Sequence, residues 1–547
     1  MSTRAQTFFL RTTKFAAISG LLFCLQGAFA ASPAALTTAS SASSPAASII
    51  STSSSAPSAI RLNEDQARFF LTRTGFAPNP TELAAYTGLS RAEAVNQLLR
   101  NASLSAPVAG PEWTSAPMAP RPRYQDMSVD ERKARRELEN QHIFSLRSWW
   151  LGQMLTTANP LTERMTLFWH NHFVSSQQKV QFAELMYQQN QLLRQHALGN
   201  FGVLLHAASK DPAMLIYLDN ANNRKGAPNE NFAREVMELF ALGEGHYSEQ
   251  DIKEAARAFT GWSIERETGA FVRRAMLHDD ESKTVLGQSG RFDGDAVLDI
   301  LLAQPACGEF IVRKLWGEFI SPVADPAEVQ RIAQVFRASR YDIQVALREL
   351  FSSPAFWAAE NRAQLVKSPV ELVIGTLKQF NFNYADPLPF SYAVAQLGQN
   401  LFNPPNVKGW PGGDAWINST TLLARKSVLE RLFRAIEMGK PVDPAAGGMN
   451  EGMADSMSVK MARVKGQAAL GREGQIRFAN AAAKISFDPD AWLGQFGVQA
   501  DTPPDVRARL AIQHTVLAMA PSSAIRADLS GAAYLRTLLM DPVYQLK

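Results

Sequence analysis

The chain has 547 residues, 46% of them hydrophobic and 19% charged, with a formal net charge of +4 and two cysteines. Arg4, Arg11 and Lys14 fall in the first 30 residues, which carry no acid; without them Lys and Arg drop from 55 to 52 against 51 Asp and Glu. A formal charge of about +1 then gives no warrant for a nucleic-acid partner or an anionic surface, and Cys307, left alone once Cys24 is removed, excludes an intramolecular disulfide.

Residues 1–30 have the order of a secretory signal: the basic residues above, an apolar run from Phe15 to Leu25, and Ala28-Phe29-Ala30 as an A-x-A cleavage site. No twin-arginine pair is present, so the general secretory route is expected. Cys24 follows Phe23, where a lipid-anchored cysteine follows a small residue, so an anchor is rejected. No later apolar run approaches the roughly 20 residues of a membrane span, so no transmembrane segment is expected in the mature chain. An exported protein, periplasmic or extracellular, is the expectation, and a mature length near 517 residues suggests two or three lobes.

Residues 31–60 are rich in Ser, Ala, Thr and Pro and read as a disordered tether. Helical patterning begins near Leu62 and fills 61–435. Thr81 reads as a helix cap, and Ser90 with Glu93 reads as another. Ala102 to Pro122 reads as a loop. Asp130 to Leu155 reads as one long helix, broken by Asn159-Pro160. The next helix carries Leu161, Met165, Phe168 and Trp169 and ends near His172. Glu184 to Leu205 reads as a single helix.

Pro228 to Trp262 reads as two helices. Asn229 caps the first and Gly243 ends it. Its apolar stripe is Phe232, Val236, Leu239 and Phe240, with Asn231, Glu235 and Glu238 on a strip beside it. Ser248 and Asp251 form a capping box for the second helix, which Gly261 stops. The helical period then disappears. Phe271-Val272 and Met276-Leu277 suggest a small hairpin within 262–286, ahead of the polar run His278 to Lys283. Ser368, Pro369 and Glu371 mark a further helix start. Asn403 to Gly413 is a Pro/Gly loop carrying Trp410, with Trp416 following. Residues 436–480 are rich in Gly, Ala and Met and read as a mobile insertion; 481–547 return to helices that complete the core. The fold class expected is mainly α, a multi-helix globular bundle with at most a small β-hairpin.

The segments LFWHNHF (167–173), NENFAREVMELFALGEGHYSEQDIKEAARAFTGW (229–262), HDDESKTVLG (278–287) and NPPNVKGWPGGDAWINSTTLLAR (403–425) resemble, in order, the hallmark segments of the bacterial family called domain of unknown function 1800. The resemblance implies an exported protein and no established activity. Members are often encoded beside exported proteins of domain of unknown function 1501, so it also implies a partner of that kind.

His170 and His172, with His278, are the candidate metal ligands, because imidazole suits divalent transition metals. On a continuous helix the first two point about 200° apart, so His172 faces the core beside Met165 and Trp169, and His170 faces away on the side of Glu163. Glu235, Glu238 and Asp279 are the candidate acid/base groups. The alternative for the Glu pair is a solvated strip with Arg234 pairing Glu238 at i, i+4; for His278, Asp279 and Lys283 it is turn chemistry. Asn231, Trp410 and Trp416 are the candidate binding residues, the tryptophans as a stacking platform or as pins holding the loop to the core. The motifs of nucleotide-binding loops, serine hydrolases, zinc proteases and helical di-iron sites are missing. Two functions follow: a metal-assisted hydrolase acting on an envelope polymer, with a divalent metal as cofactor, or a non-catalytic binding or scaffold protein of the envelope. Met449, Met453, Met457 and Met461 recur every four residues, which invites a Cu(I) strip. The drift of about 40° per step and the neighbouring glycines argue for a short apolar helix edge instead.

Overall fold

The computed structural model describes residues 60–103, 108–116, 126–265, 267–437 and 471–547. The stretches read as a signal and a tether, up to residue 59, and residues 438–470 of the stretch read as an insertion, with the Met449–Met461 repeat, lie outside the described residues; Gly471–Ala482 is helical. Those described are mainly helical, with two small antiparallel hairpins. They pack as one unit around one main core with a small satellite at Leu388, Phe478 and Ala482, not as two or three lobes. The core runs without interruption from Leu62 to Tyr544. The segment after residue 481 joins it through Trp492, whose indole N–H donates to the Gln379 carbonyl at 2.9 Å, and through Tyr544, whose hydroxyl meets Thr376 Oγ1 at 2.8 Å.

Helix starts follow local chemistry. Ser128, Ser248 and Ser368 each accept from the N3 amide while the N3 carboxylate accepts from the cap amide. Ser90 and Glu93 exchange the same pair of bonds. One cap moves: Asn79, not Thr81, caps the Pro80–Ala84 helix, because its side chain accepts from the Glu82 amide and Pro80 takes the first helical position. The stretch read as one helix from Glu184 to Leu205 is two, Ala183–Gln195 and Phe201–Ser209. Gly199 and Asn200 separate them, and Asn200 caps the second by accepting from Val203 N.

The Asn229 cap and the Gly243 stop are as read, the glycine at φ +80°. Between them the backbone changes winding: Glu230–Glu235 is α-helical and Val236–Leu242 is a π-helix. Phe232, Val236 and Phe240 are four residues apart, as are Ala233, Met237 and Ala241, and all six are buried. A spacing of four suits the looser winding of a π-helix but also fits the apolar stripe of an α-helix, so the pattern alone does not announce the change.

The hairpins differ from the expectation. Trp262–Ile264 pairs with Phe271–Arg273, and Lys283–Val285 pairs with Gln288–Gly290. Met276 and Leu277 lie in a short 3-10 turn, with Met276 96% exposed. The turn at Leu286-Gly287, both at positive φ, sets the second hairpin. Among the described residues, no helix is long and apolar enough to cross a membrane.

The Pro160–His172 helix is enclosed on all sides, and every residue from Leu161 to His170 is buried. Its polar flank is covered too. Glu163 accepts from Arg194 Nε at 2.7 Å and from Trp150 Nε1 at 2.9 Å. His170 lies on the side of Glu163, as read, and that side is a second, polar part of the interior: Asn190 links His170 to Arg194, which binds Glu163.

Candidate functional site

The site is built at the C-terminal end of that buried helix. His172 Nε2 lies 3.0 Å from the Phe240 carbonyl, so this nitrogen carries the proton, because a carbonyl only accepts. Phe240 sits in the π-helix, among the last carbonyls before Gly243, where intrahelical donors run out. His172 Nδ1 is then an acceptor, and Lys314 Nζ donates to it at 2.9 Å. Lys314 comes from the Pro305–Phe319 helix, with its ammonium 5.1 Å from the Phe310 ring centroid. Burial pushes Lys314 down to about 8. Burial and then the Lys314 charge hold His172 well below the usual imidazole range, so it works as a neutral acceptor.

Two chambers meet over this pair. The larger, about 430 Å³, is bounded by Glu238, Gly243 and Glu244 on one side and by Phe310, Lys314 and Lys408 on the other. The smaller, about 240 Å³, has Arg164, Glu318, Glu371 and Lys547 among its walls, with the Gly412-Gly413 backbone and Trp416. Asn171, His172 and Lys314 belong to both. A cavity beside Asp65 and Leu517 has only about 50 Å³, close to the size of a water site.

Asn171 fastens the Pro/Gly loop over the cleft. Its Oδ1 accepts from the Trp410 amide at 2.7 Å. Gly409 is at φ +90°, and a Cβ there would collide with Asn171 Oδ1 and lie 2.9 Å from its carbonyl oxygen, so the close approach needs glycine. Trp410 and Trp416 are both buried. Trp410 pins the loop; Trp416 lines the smaller chamber, and neither offers an open stacking face.

The floor of the smaller chamber is crowded with positive charge. Arg164, only 2% exposed, pairs with Glu318 at 2.5 Å and with Glu371. Lys547 also pairs with Glu371. Burial alone would raise the Glu371 carboxyl, but Arg164 and Lys547 override it and hold it down to about 2. The same carboxylate caps the Pro369–Gln379 helix by accepting from Ser368 N at 2.8 Å. Lys367 and Arg425 lie within electrostatic reach of Glu371, and burial lowers Lys367 to about 7 and Arg425 to about 10. Arg164, Lys547, Lys367 and Arg425 thus share two carboxylates, and Lys314 stands beside them with none.

The residues singled out in the sequence are dispersed. His172 and Glu238 reach the cleft, Glu238 accepting from the Tyr247 hydroxyl at 2.8 Å. Tyr247 takes the place foreseen for Arg234, which pairs instead with Glu249 at 2.7 Å. Glu235 is half-buried, its carboxyl raised by burial and then by Glu238. Asn231 serves the helix start, donating from its amide to Asn229 Oδ1 and from its side chain to the Leu218 carbonyl. His170 accepts from Asn190 Nδ2 at 3.0 Å, and burial drives it down to about 3. His278 and Asp279 close a turn: His278 Nδ1 donates to the Thr260 carbonyl at 2.9 Å, and Asp279 binds Arg257 at 2.8 Å. Lys283 donates to the Asp279 and Glu281 carbonyls. Among the described residues, no three His, Cys, Asp or Glu side chains gather as a metal-ligand set.

Lys314, Asn171, Arg164, Glu371 and Lys547 were not singled out as site residues in the sequence. One signal was present for Arg164: with Glu163 it is a charge inside an otherwise apolar helix, and such charges are kept only when paired.

The chain is thus a mainly helical protein with a two-chambered polar cleft where three of the four motif segments, 167–173, 229–262 and 403–425, converge. It belongs to the family described as "Protein of unknown function (DUF1800)", whose sequence profile matches residues 69–546. No curated protein and no solved structure is significantly similar to it.

Proposed function

We propose that this is an exported protein whose cleft binds an anionic segment of a cell-envelope or extracellular polymer. One observation carries the reading: on the walls of the smaller chamber Arg164, Lys314 and Lys547 face two side-chain carboxylates, Glu318 and Glu371. Uncompensated buried charge is costly, and a ligand bearing carboxylate, sulfate or phosphate groups would relieve it. The open, two-chambered shape suits a chain more than a compact metabolite. The signal-like order of residues 1–30 supports export, and a co-encoded protein of domain of unknown function 1501 is the proposed partner. Calorimetric titration of the mature chain with tri-galacturonate, against neutral maltotriose, tests the binding. Saturable binding of the acid alone, weakened in Lys314→Met, is expected; equal binding of both sugars, or of neither, refutes the reading. N-terminal sequencing of the exported protein is expected to begin at Ala31, and residues 1–30 retained on the main cellular form would refute export.

A second reading, an enzyme acting at the same cleft, is favoured by the Lys314–His172 pair. The metal-assisted form draws no support from His170 and His172, because each acceptor nitrogen already holds an internal donor, Asn190 for one and Lys314 for the other.

A further inference from the structure

The amine of Lys314 stands apart from the other cations of the cleft. Arg164 is held between Glu318 and Glu371. Lys547 is locked on Glu371. Lys367 donates to the Tyr544 carbonyl at 2.8 Å and lies 4.1 Å from that ring's centroid. Lys408 is exposed and reaches Glu244 at 3.5 Å. Arg313, on the same helix, is exposed; among the described residues, Lys314 alone of the cleft's unexposed cations has no carboxylate or carbonyl partner. Its hydrogen-bond partner is the neutral ring of His172, and it borders both chambers.

We propose that Lys314 is a carbonyl-binding residue that forms an imine with an aldehyde or ketone group of the ligand held in the cleft. The anionic character of that ligand rests on the binding reading above; the imine chemistry does not. The argument is geometric first. His172 Nδ1 receives one N–H of Lys314 and fixes the amine at the junction of the chambers. His172 cannot turn away without breaking its bond to the Phe240 carbonyl. Burial lowers Lys314 to about 8, and no carboxylate contact opposes that shift. A useful fraction of free amine is then present near neutral pH. The groups around it are Phe310, Glu309, Arg313 and Glu318 on its own helix, His172 and Asn171 across the cleft, Arg164, Glu371 and Lys547 in the smaller chamber, and Glu238, Glu244 and Lys408 in the larger.

The step balances simply. The proton on Lys314 passes to water in the open cleft, the neutral amine adds to the carbonyl carbon, and the carbinolamine loses its oxygen as water to leave C=N. Reducing-end sugars and 2-oxo acids carry the required group; of these the oxo acids, and sugars that also bear a carboxylate, would place their anionic end on the Arg164 side.

Glyoxylate combines an aldehyde with a carboxylate, and sodium cyanoborohydride reduces its imine to a stable carboxymethyl amine. The mature full-length chain is treated with both reagents at neutral pH, and peptide mass mapping follows modification of every lysine with time. The peptide containing Lys314 is expected to be labelled at least about tenfold faster than the median lysine, because ordinary lysines near 10.5 hold far less free amine. It is also expected to outpace Lys547, whose amine is held on Glu371, and Lys367, whose amine is held on the Tyr544 carbonyl outside the chamber walls. Lys314→Arg, with its fold checked by circular dichroism, is expected to lose the fast site only. Labelling of Lys314 no faster than that of surface lysines overturns the proposal. Acetaldehyde, which lacks the carboxylate, separates the two readings. A preference for glyoxylate at Lys314 supports both. Equal fast labelling by both aldehydes, together with no tri-galacturonate binding, supports the imine and refutes the anionic ligand.

Discussion

Replacing Gly409 by alanine tests how the loop is held over the cleft. The residue sits at φ +90°, and an L-residue in the left-handed region is strained by roughly 1–2 kcal/mol. The added methyl also occupies the space of Asn171 Oδ1. That oxygen must move away, and the Trp410 amide, which donates to it over 2.7 Å, is left without its acceptor. Losing the partner of a buried donor costs about 1–3 kcal/mol. The sum is about 2–5 kcal/mol for Gly409→Ala. The split is measurable by a double-mutant cycle with Asn171→Ala. In that background Oδ1 is already gone, so Gly409→Ala is expected to cost less: the backbone strain, about 1–2 kcal/mol, and the remaining 2.9 Å contact with the Asn171 carbonyl oxygen. Urea unfolding of the mature chain, followed by tryptophan fluorescence, gives the four stabilities. A cost below about 1 kcal/mol in the wild-type background, or the same cost in both, would refute the idea that the Asn171 contact seats the loop.

Two further outcomes are expected. Glu163→Gln leaves the Arg194 guanidinium buried without its carboxylate and is expected to destabilise by about 3–5 kcal/mol, read as a lowered urea midpoint; a loss under about 1 kcal/mol would show that the pair is dispensable. His170, held at about 3 in the fold against about 6.5 when unfolded, binds a proton first in the unfolded chain, so its contribution is intact above pH 6.5 and is lost as pH falls towards 3. Stability is therefore expected to fall more gently with acid in His170→Gln than in the wild type, by up to about 1.4 kcal/mol per pH unit, and parallel profiles from pH 7 to 4.5 would sink the assignment.

Much of the secondary structure was legible because its causes are local. A cap and its N3 partner are three residues apart, so Ser128, Ser248 and Ser368 announce their helices from sequence alone. Asn229 and Gly243 bracket theirs in the same way. Local pattern misled where two patterns compete. The spacing of four in Phe232, Val236 and Phe240 passes for an α-helical stripe, yet from Val236 on the backbone winds as a π-helix. Phe271 found its partner strand at Trp262–Ile264 and not at Met276, because a turn at Gly269 precedes it.

The candidate site was not legible in the same way. Composition and periodicity established the helical class, and the motif strings established the family. The motifs drew attention to His170, His172, Glu235, Glu238, His278, Asp279, Asn231, Trp410 and Trp416, and of these His172, Glu238 and Trp416 line the cleft. What gives His172 its character is Lys314, 142 residues away, and the Phe240 carbonyl, 68 away. Glu371 reads locally as a helix cap; only packing brings Arg164 and Lys547 to it and makes it the anion at the centre of a cationic floor. Capping and periodicity act over one helical turn, so the sequence displays them. Charge balance in a buried cleft depends on which distant side chains share one small, water-poor volume, and only the tertiary fold decides that.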